Sequence, residues 1–560
     1  MLSLLLIVSI IYLHFIIYGG YGSGDDIPLV LTSLNIPSVI HWIKSILLGS
    51  GAARPISSVI LVLVHILFKN NPSLYIISGI LSWLLSVFLL CFILKNFMDA
   101  NSIYIFALLA SFPFFTTTIF SGPYLFTQFV VPIIFWSLSL ISLLTHAKRR
   151  SLLYYFLGWF LLALSLLTLS YILPLLSVTA FLPIIVEYCE ETHDRKNDLI
   201  RLMLKYTIPV LLISIMFLVF KIYLVKLYTP VNYVYGLADI NIISVLQSLY
   251  YFWVIFIEIP LMLVEVIPHM LNWRVLILSG MIIFYFIILK HSFNNYVQTY
   301  TKSRSLFKEK LFISLVIFAL ISSASIFFIS HYPSSTFGYY NRMMIPSFIM
   351  YTVFISWLFN KLLDTYWFFV PIVISILWCS SMIIQLDNFI KSWEIRENIA
   401  KEITIKLNDA DLGDEPILIA NMPYFLKSNY NNEEVTFCTW AFDAELQLVG
   451  AKKIKSWPVS YRILMDPFFY PNHNILNKLS GISDDANIWY YEYEEGSEKS
   501  MFKQLGDKKA MFDKFEEIKE KKINYHPIIL REKIRLAFKK LPLVLGIYER
   551  TLSNEINENI

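Results

Sequence analysis

Tyr18-Gly19-Gly20-Tyr21-Gly22-Ser23-Gly24-Asp25-Asp26 closes the first apolar run of the chain, Leu2 to Tyr18, and Gly51-Ala52-Ala53-Arg54-Pro55 opens the next. An unbroken apolar run of about 17 residues is long enough to reach across a bilayer. It has no basic n-region and no small-residue cleavage site, so a retained first span is expected rather than a removed signal. Two adjacent carboxylates at the mouth of such a span are costly to desolvate, which makes them a site hypothesis by default.

The composition agrees with a membrane protein. Of 560 residues, 57% are hydrophobic and only 15% charged, against about 25% charged in soluble domains. The 34 Tyr and 13 Trp are residue types that settle at membrane–water interfaces. A net charge of +4, spread along the chain, argues against a nucleic-acid partner. Cys91, Cys189, Cys379 and Cys438 are scattered, with no CxxC and no Cys/His cluster, so neither a structural zinc site nor a disulfide framework is expected. No internal repeat or low-complexity tract is visible.

Further apolar segments fall at about 55–69, 73–94, 102–120, 122–145, 152–169, 171–187, 203–226, 242–268, 272–290, 309–330, 343–360 and 364–386, which with the first makes thirteen. Basic residues in short loops set sidedness. The strong basic clusters are His146 to Arg150, His193 to Arg201, and Lys290 to Lys310, and all should face the cytoplasm. If all thirteen segments cross, the first two clusters lie outside. The conflict is removed if 55–69 and 242–268 dip or lie flat. About 11 spans then remain (13 is the upper bound), with the N-terminus inside and loops 19–54, 121–123, 227–241 and 331–342 outside, together with everything after about 387. The fold class expected is therefore a polytopic α-helical membrane protein with a C-terminal mixed α/β periplasmic domain. The membrane domain is 1–386, with 19–54 as its first periplasmic loop, and 387–560 is the periplasmic domain.

Between the first two apolar segments, Ile27 to Leu48 is broken by Asn35, Pro37, His41 and Lys44, while Leu34, Val39, Trp42, Ile43 and Leu47 recur at helical spacing. One or two amphipathic helices on the outer membrane surface are expected. After Asp387 a charged helical pattern runs to Asn408, and Pro416–Ala420, Glu434–Cys438 and Asn487–Tyr491 read as short buried strands. Ile528 to Leu541 interleaves apolar residues with Arg531, Lys533, Arg535, Lys539 and Lys540, a pattern that fits either anionic headgroups or a solvated face.

The candidate chemistry lies at the outer mouth. Gly19, Gly20, Gly22 and Gly24 leave few side chains to block an approach to Asp25 and Asp26, though a helix N-cap for Ile27 is the bland alternative. Arg54 offers an always-charged planar fork suited to phosphate, against simple interfacial snorkelling. The later outer loop His331 to Arg342 brings hydroxyls, Tyr339, Tyr340 and Arg342; tyrosine faces bind sugars, and an arginine can stabilise a phosphate leaving group. Glu258, Glu265 and His269 are spaced i, i+7 and i+11, one stripe of an α-helix, which suits a polar cavity or a wet rim.

The order of these features resembles the serotype-converting O-antigen glucosyltransferases, Gtr-type enzymes of the GT-C glycosyltransferase superfamily. The resemblance rests on the outer Asp-Asp pair after the first span, the Gly-x-x-Arg-Pro approach to the next segment, Asn71-Pro72-Ser73-Leu74, Ser111-Phe112-Pro113-Phe114 and Ser170-Tyr171. It covers about residues 1–390. Two positions depart from the family's pattern: Ala53-Arg54-Pro55 stands for the usual Gly-Arg-Pro, and Ile172 for a more common glutamine.

What the resemblance implies is a bacterial inner-membrane enzyme that moves a hexose, expected to be glucose, from an undecaprenyl-phosphate sugar to lipid-linked O-antigen or a related lipopolysaccharide or cell-envelope glycan on the periplasmic side. Asp25 or Asp26 would take the proton from the acceptor hydroxyl in an inverting displacement. Arg54 and Arg342 would hold the donor phosphate, with Tyr339, Tyr340, Glu258, Glu265 and His269 binding substrate. No cofactor or metal is expected; a divalent cation on the Asp pair is the alternative. Other acceptors, protein or lipid A, and an O-antigen polymerase or ligase are alternative readings. A transporter is disfavoured, because no two related halves with paired discontinuous helices are visible.

Overall fold

The computed structural model describes residues 2–20, 27, 30, 31, 34, 38–40, 43, 54–116, 120, 123–168, 170–190, 195–220, 242–300, 306–330, 343–363, 365–410, 416–422, 439–451, 454–459, 482–483, 486–493 and 500–520. The first helices in chain order are α1 (Leu2–Tyr18), α2 (Pro55–Phe68), α3 (Pro72–Leu94), α4 (Ala100–Ala110), α5 (Pro123–Phe129), α6 (Val131–Arg149), α7 (Leu152–Thr168), α8 (Leu176–Glu190) and α9 (Arg195–Val219). Then follow α10 (Ile242–Trp253), α11 (Ile259–Glu265), α12 (Trp273–Tyr300), α13 (Leu306–Ser322), α14 (Ala324–Ser330), α15 (Ile345–Leu363), α16 (Phe369–Asp409), α17 (Thr439–Leu448) and α18 (Lys508–Glu520).

Among the described residues, nine helices are long and apolar enough to cross a membrane, and four shorter apolar helices accompany them: Ser3–Tyr18, Pro55–Phe68, Ala100–Ala110 and Leu152–Thr168. The long ones include Ser248–His269, whose length and composition would permit a crossing. The apolar segments read from hydropathy therefore all reappear as helices, but one is cut short. Where the sequence suggested a span over 102–120, α4 stops at Ala110 and residues 111–116 are not helical. Pro113 has no N–H to give a helix and pushes Phe112 away from helical geometry.

That break is buried. Phe112, Phe114, Phe115 and Thr116 are fully covered. Non-helical backbone within a bilayer survives only where protein or water satisfies it, because each open carbonyl costs several kcal/mol in hydrocarbon. Here every carbonyl from Leu109 to Phe114 has a donor. The Trp378 indole N–H donates to Leu109 O (3.1 Å) and Phe112 O (2.8 Å), and that of Trp83 to Ala110 O at 2.8 Å. The Tyr12 hydroxyl reaches Ser111 O at 2.6 Å, Thr116 N–H reaches Pro113 O at 2.9 Å, and the Gln385 amide donates to Phe114 O. Side-chain donors thus come from α1, α3 and α16. The rings around them interlock: Phe114 meets Trp378 at 4.6 Å and Phe115 meets Phe348 at 5.0 Å.

The bundle has two distinct ends. At one, Lys148 donates to Asn96 (2.5 Å), Lys308 lies over Phe97 and Lys290 over Phe368. There Asn360 donates to Asp99, Lys361 pairs with Glu309, and Lys205 pairs with Glu187 near His146. Described members of the first and third basic clusters, with Lys205 just beyond the second, thus border one surface, the basic end. At the other, Tyr75 near the start of α3 packs with Ile27, Val30, Ala444, Leu448 and Trp393. Since α3 runs from Pro72 to Leu94, about 33 Å at 1.5 Å per residue, these ends lie on opposite faces of a membrane-sized slab. Exposed aromatics mark its rims, Trp273 at one and Tyr366 and Trp367 at the other. From Trp273 to Lys290 along α12 is about 26 Å, close to a bilayer's hydrocarbon thickness.

α2 has 14 residues, about 21 Å and too short to cross. Both its ends stay in the half away from the basic end. Phe68 packs beside Tyr75, and Arg54 meets Gln128 on α5, whose Phe126 touches the Gly79 level of α3.

α16 is continuous over 41 residues, about 60 Å, so the same rod that caps the break with Trp378 and Gln385 enters the C-terminal domain. Its far turns supply Ile399, Ala400, Ile403 and Leu407 to one face of a four-stranded sheet. That sheet, β1 (Ile417–Asn421), β2 (Lys455–Val459), β3 (Ile488–Glu492) and β4 (Met501–Gly506), has the order β2-β1-β3-β4. β1 pairs parallel to β2 and β3, and β4 closes it antiparallel. α17 covers the α16 face; Met511, Phe515 and Ile518 of α18 cover the other. β1 and β3 lie where the sequence suggested strands, and 434–438 falls outside the described residues. β2 went unread because Pro458 interrupts it, which an edge strand tolerates.

Replacing Trp378 with Phe keeps the ring packing and removes the N–H that two carbonyls share. Because Leu109 O and Phe112 O keep the backbone N–H groups of Phe112 and Phe114, the expected cost is about 0.5–1.5 kcal/mol, seen as a lower unfolding temperature in detergent, whereas the exposed Trp367→Phe should leave the melting curve where it is.

Candidate functional site

The residues expected to carry chemistry divide into two groups. Asp25, Asp26, Tyr339, Tyr340 and Arg342 lie outside the described residues, but their chain neighbours fix where these segments attach. Gly20 and Ile27 flank the acidic stretch, and both are buried at the sheet end. Met343 and Met344, directly after Arg342, are buried just before α15, whose Phe348 packs on the helix break through Phe115, Trp83 and Trp378.

Arg54 is described and half-buried. It sits one residue before α2, where Pro55 occupies the first helical position and donates no N–H. Its guanidinium donates to the side-chain oxygen of Gln128, which is itself nearly covered. Sequence reading passed over Gln128, because a lone glutamine in an apolar run carries no local pattern.

The expected stripe of Glu258, Glu265 and His269 assumed α-helical spacing throughout. Instead Glu258 ends a π-helical turn, Val254–Glu258, and His269 ends a 3-10 turn, Ile267–His269. Glu258 is 2% exposed and its carboxylate accepts from the Tyr250 hydroxyl. Glu265 and His269 are half-buried at the sheet-end rim, with Lys391 of α16 in electrostatic reach of His269. π-turns often accompany functional sites because they re-aim a side chain.

A second polar group at this rim was missed altogether. Arg274 of α12 pairs with Asp387 of α16 at 2.6 Å, also reaches Ile11 O at 3.5 Å, and is 8% exposed. His14 of α1 stands 3.9 Å from the same carboxylate and stacks against Tyr18. Asp387 thus ties three helices together one turn below Gly19. The only local hint was a charge at the edge of each apolar run, and a partner 113 positions away cannot be read from spacing.

Directly above, the glycines have a structural reason. A Cβ on Gly20 would stand 1.9 Å from the Trp393 ring, and one on Gly19 would stand 2.5 Å from Phe15 O. Trp393 in turn lies under the Arg396 guanidinium, 4.5 Å from the ring centroid, and Arg396 Nε donates to Glu445 of α17 at 2.9 Å, both side chains almost fully buried. Burial pushes the Glu445 carboxyl up from its ordinary range, and the Arg396 guanidinium pulls it back.

Other residues quoted for the family resemblance also have structural work. Asn71 caps α3, its side chain accepting from Leu74 N–H at 3.3 Å, with Pro72 at the first helical position. The Tyr171 hydroxyl, at the start of the 3-10 helix Ser170–Leu175, donates to Phe129 O. Comparison with protein families, curated proteins and solved structures finds no match to this chain.

Breaking the pair at Asp387 should be costly because it strands a largely buried guanidinium. Asp387→Asn is expected to lose about 3 kcal/mol, and the double variant Arg274→Met with Asp387→Leu to lose less than the two single changes summed. Additive losses in a double-mutant cycle would mean the two groups do not interact.

Proposed function

We propose that this protein is a membrane glycosyltransferase of GT-C type that uses a polyprenyl-phosphate sugar. Its donor is an undecaprenyl-phosphate hexose, expected to be glucose, and its acceptor a lipid-linked O-antigen or related envelope glycan. The observation that carries the reading is the polarity of the bundle. The basic clusters border one end, while the chain on both sides of Asp25-Asp26 is buried at the other, in the half that also holds Arg54 and Arg274.

Basic loops stay cytoplasmic, so the sheet end faces the periplasm of a bacterial inner membrane under this reading. The count of eleven crossings has support too. α2 keeps both ends in one half. α9 is about 36 Å long, enough to cross from the basic end, and His269 lies at the sheet-end rim near Lys391, which is in keeping with 242–269 returning to the side it left.

The chemistry follows from this placement. A polyprenyl chain lies among the apolar helices with its phosphate at the interface. A guanidinium, Arg54 or Arg342, binds that phosphate and stabilises the charge that builds on it as the glycosidic bond breaks. The acceptor oxygen attacks the anomeric carbon from the opposite face, its proton passes to Asp25 or Asp26, and polyprenyl phosphate leaves with the bonding electrons. The configuration inverts in a single step. A metal is not needed for a leaving group that arginine already stabilises.

Asp25→Asn and Asp26→Asn are expected to reduce transfer from undecaprenyl-phosphate glucose to lipid-linked glycan to background in at least one case, with the protein still folded in the membrane. Full activity in both variants removes the carboxylate mechanism. A reporter fused after Ile560 should be active only when it is of the kind that works in the periplasm.

A further inference from the structure

We infer that the C-terminal sheet domain is a positioning element for the acidic loop, acting through Trp393 and α17 rather than standing apart as a passive tail. The inference rests on the proposed reading of Asp25-Asp26 and adds to it the group that holds them. Two contacts grip the loop, one on each side of the carboxylates.

On the N-terminal side, Gly20 lies against Trp393 so closely that no Cβ fits. That ring cannot move freely, because Arg396 covers it and is itself locked to Glu445 in a buried pair. On the C-terminal side, Ile27 and Val30 are fully covered in a cluster with Ala444, Leu448 and Trp393, bounded below by Val64, Phe68 and Tyr75. Glu445 and the apolar residues Ala444 and Leu448 belong to the same helix, α17. One helix of the sheet domain therefore sets the described residues on both sides of Asp25-Asp26. The rod α16 carries this arrangement back to the membrane core, where Trp378 and Gln385 fix it to the helix break.

A carboxylate acting as a base must sit within hydrogen-bond reach of the acceptor hydroxyl, and small misplacements carry large rate penalties. The grip predicts a loss in turnover rather than in donor binding. The full-length protein in lipid nanodiscs is compared as wild type, Gly20→Ala, Trp393→Ala and the double variant. Hydrogen exchange over residues 19–31 is read by mass spectrometry, and kcat and KM are read with undecaprenyl-phosphate glucose.

Each single variant is expected to speed exchange in this peptide and to lower kcat by on the order of a hundredfold while KM for the donor holds. The double variant should match Trp393→Ala alone, because the clash of a new Cβ needs the ring. Unchanged exchange in both single variants overturns the inference whether or not any sugar is moved. Faster exchange with wild-type kcat also overturns it, leaving the contact as scaffold. If the wild type moves no sugar, the transferase reading fails by itself, and exchange still decides whether the domain holds the loop.

Discussion

Six consecutive carbonyls, Leu109 to Phe114, lie where α4 gives out inside an apolar bundle; nearby backbone N–H groups reach three of them, and Ala110, Ser111 and Phe114 take their donors from side chains of other helices. In water such a break would be unremarkable; in hydrocarbon, leaving even a few carbonyls open would exceed the net stability of a typical domain. The donors come from α1, α3 and α16, elements far apart in sequence, so satisfying the break also fixes how these helices meet. Tyr12 lies two residues from His14, and Gln385 two residues from Asp387. The helices that cap the break therefore also carry the charged group at the rim.

This coupling ties the sheet end to the membrane core. α16 carries, in order, the indole that caps the break, the carboxylate paired with Arg274, the tryptophan against Gly20 and the arginine paired with Glu445. A displacement anywhere along this rod is felt both in the membrane core and in the sheet domain. The basic end has a different character. Lys148, which donates to Asn96, and Lys361, which pairs with Glu309, are exposed there, and exposed pairs contribute little to stability, while Glu187, paired with Lys205, is buried.

Much of the bundle was legible because hydropathy is a property of local composition: every apolar run holds a helix among the described residues, and Lys148, Lys205, Lys290 and Lys308 share one end. The strands at Ile417 and Ile488 were legible for the same reason. What escaped depended on distance along the chain. The break at Pro113 was hidden inside the apolar run 102–120, because its side-chain donors are encoded at Tyr12, Trp83, Trp378 and Gln385. The pairs of Arg274 with Asp387 and Arg396 with Glu445 follow no spacing rule. β2 hid behind Pro458, acceptable only because the strand is at an edge. The stripe of Glu258, Glu265 and His269 was drawn on ideal α geometry, which a π-turn and a 3-10 turn replace. For Gly19 and Gly20, sequence suggested open access, and the structure adds the opposite need, close approach to Phe15 and Trp393.

The central claim is that a polyprenyl-phosphate sugar is handled at the sheet end by guanidinium and carboxylate groups. The most direct measurement is an experimental structure of the protein with a non-transferable polyprenyl-phosphonate sugar. The account predicts the phosphonate at Arg54 or Arg342, with the anomeric carbon facing Asp25 or Asp26 beneath α17. A phosphonate held at the opposite end, among Lys148, Lys308 and Lys361, would contradict it.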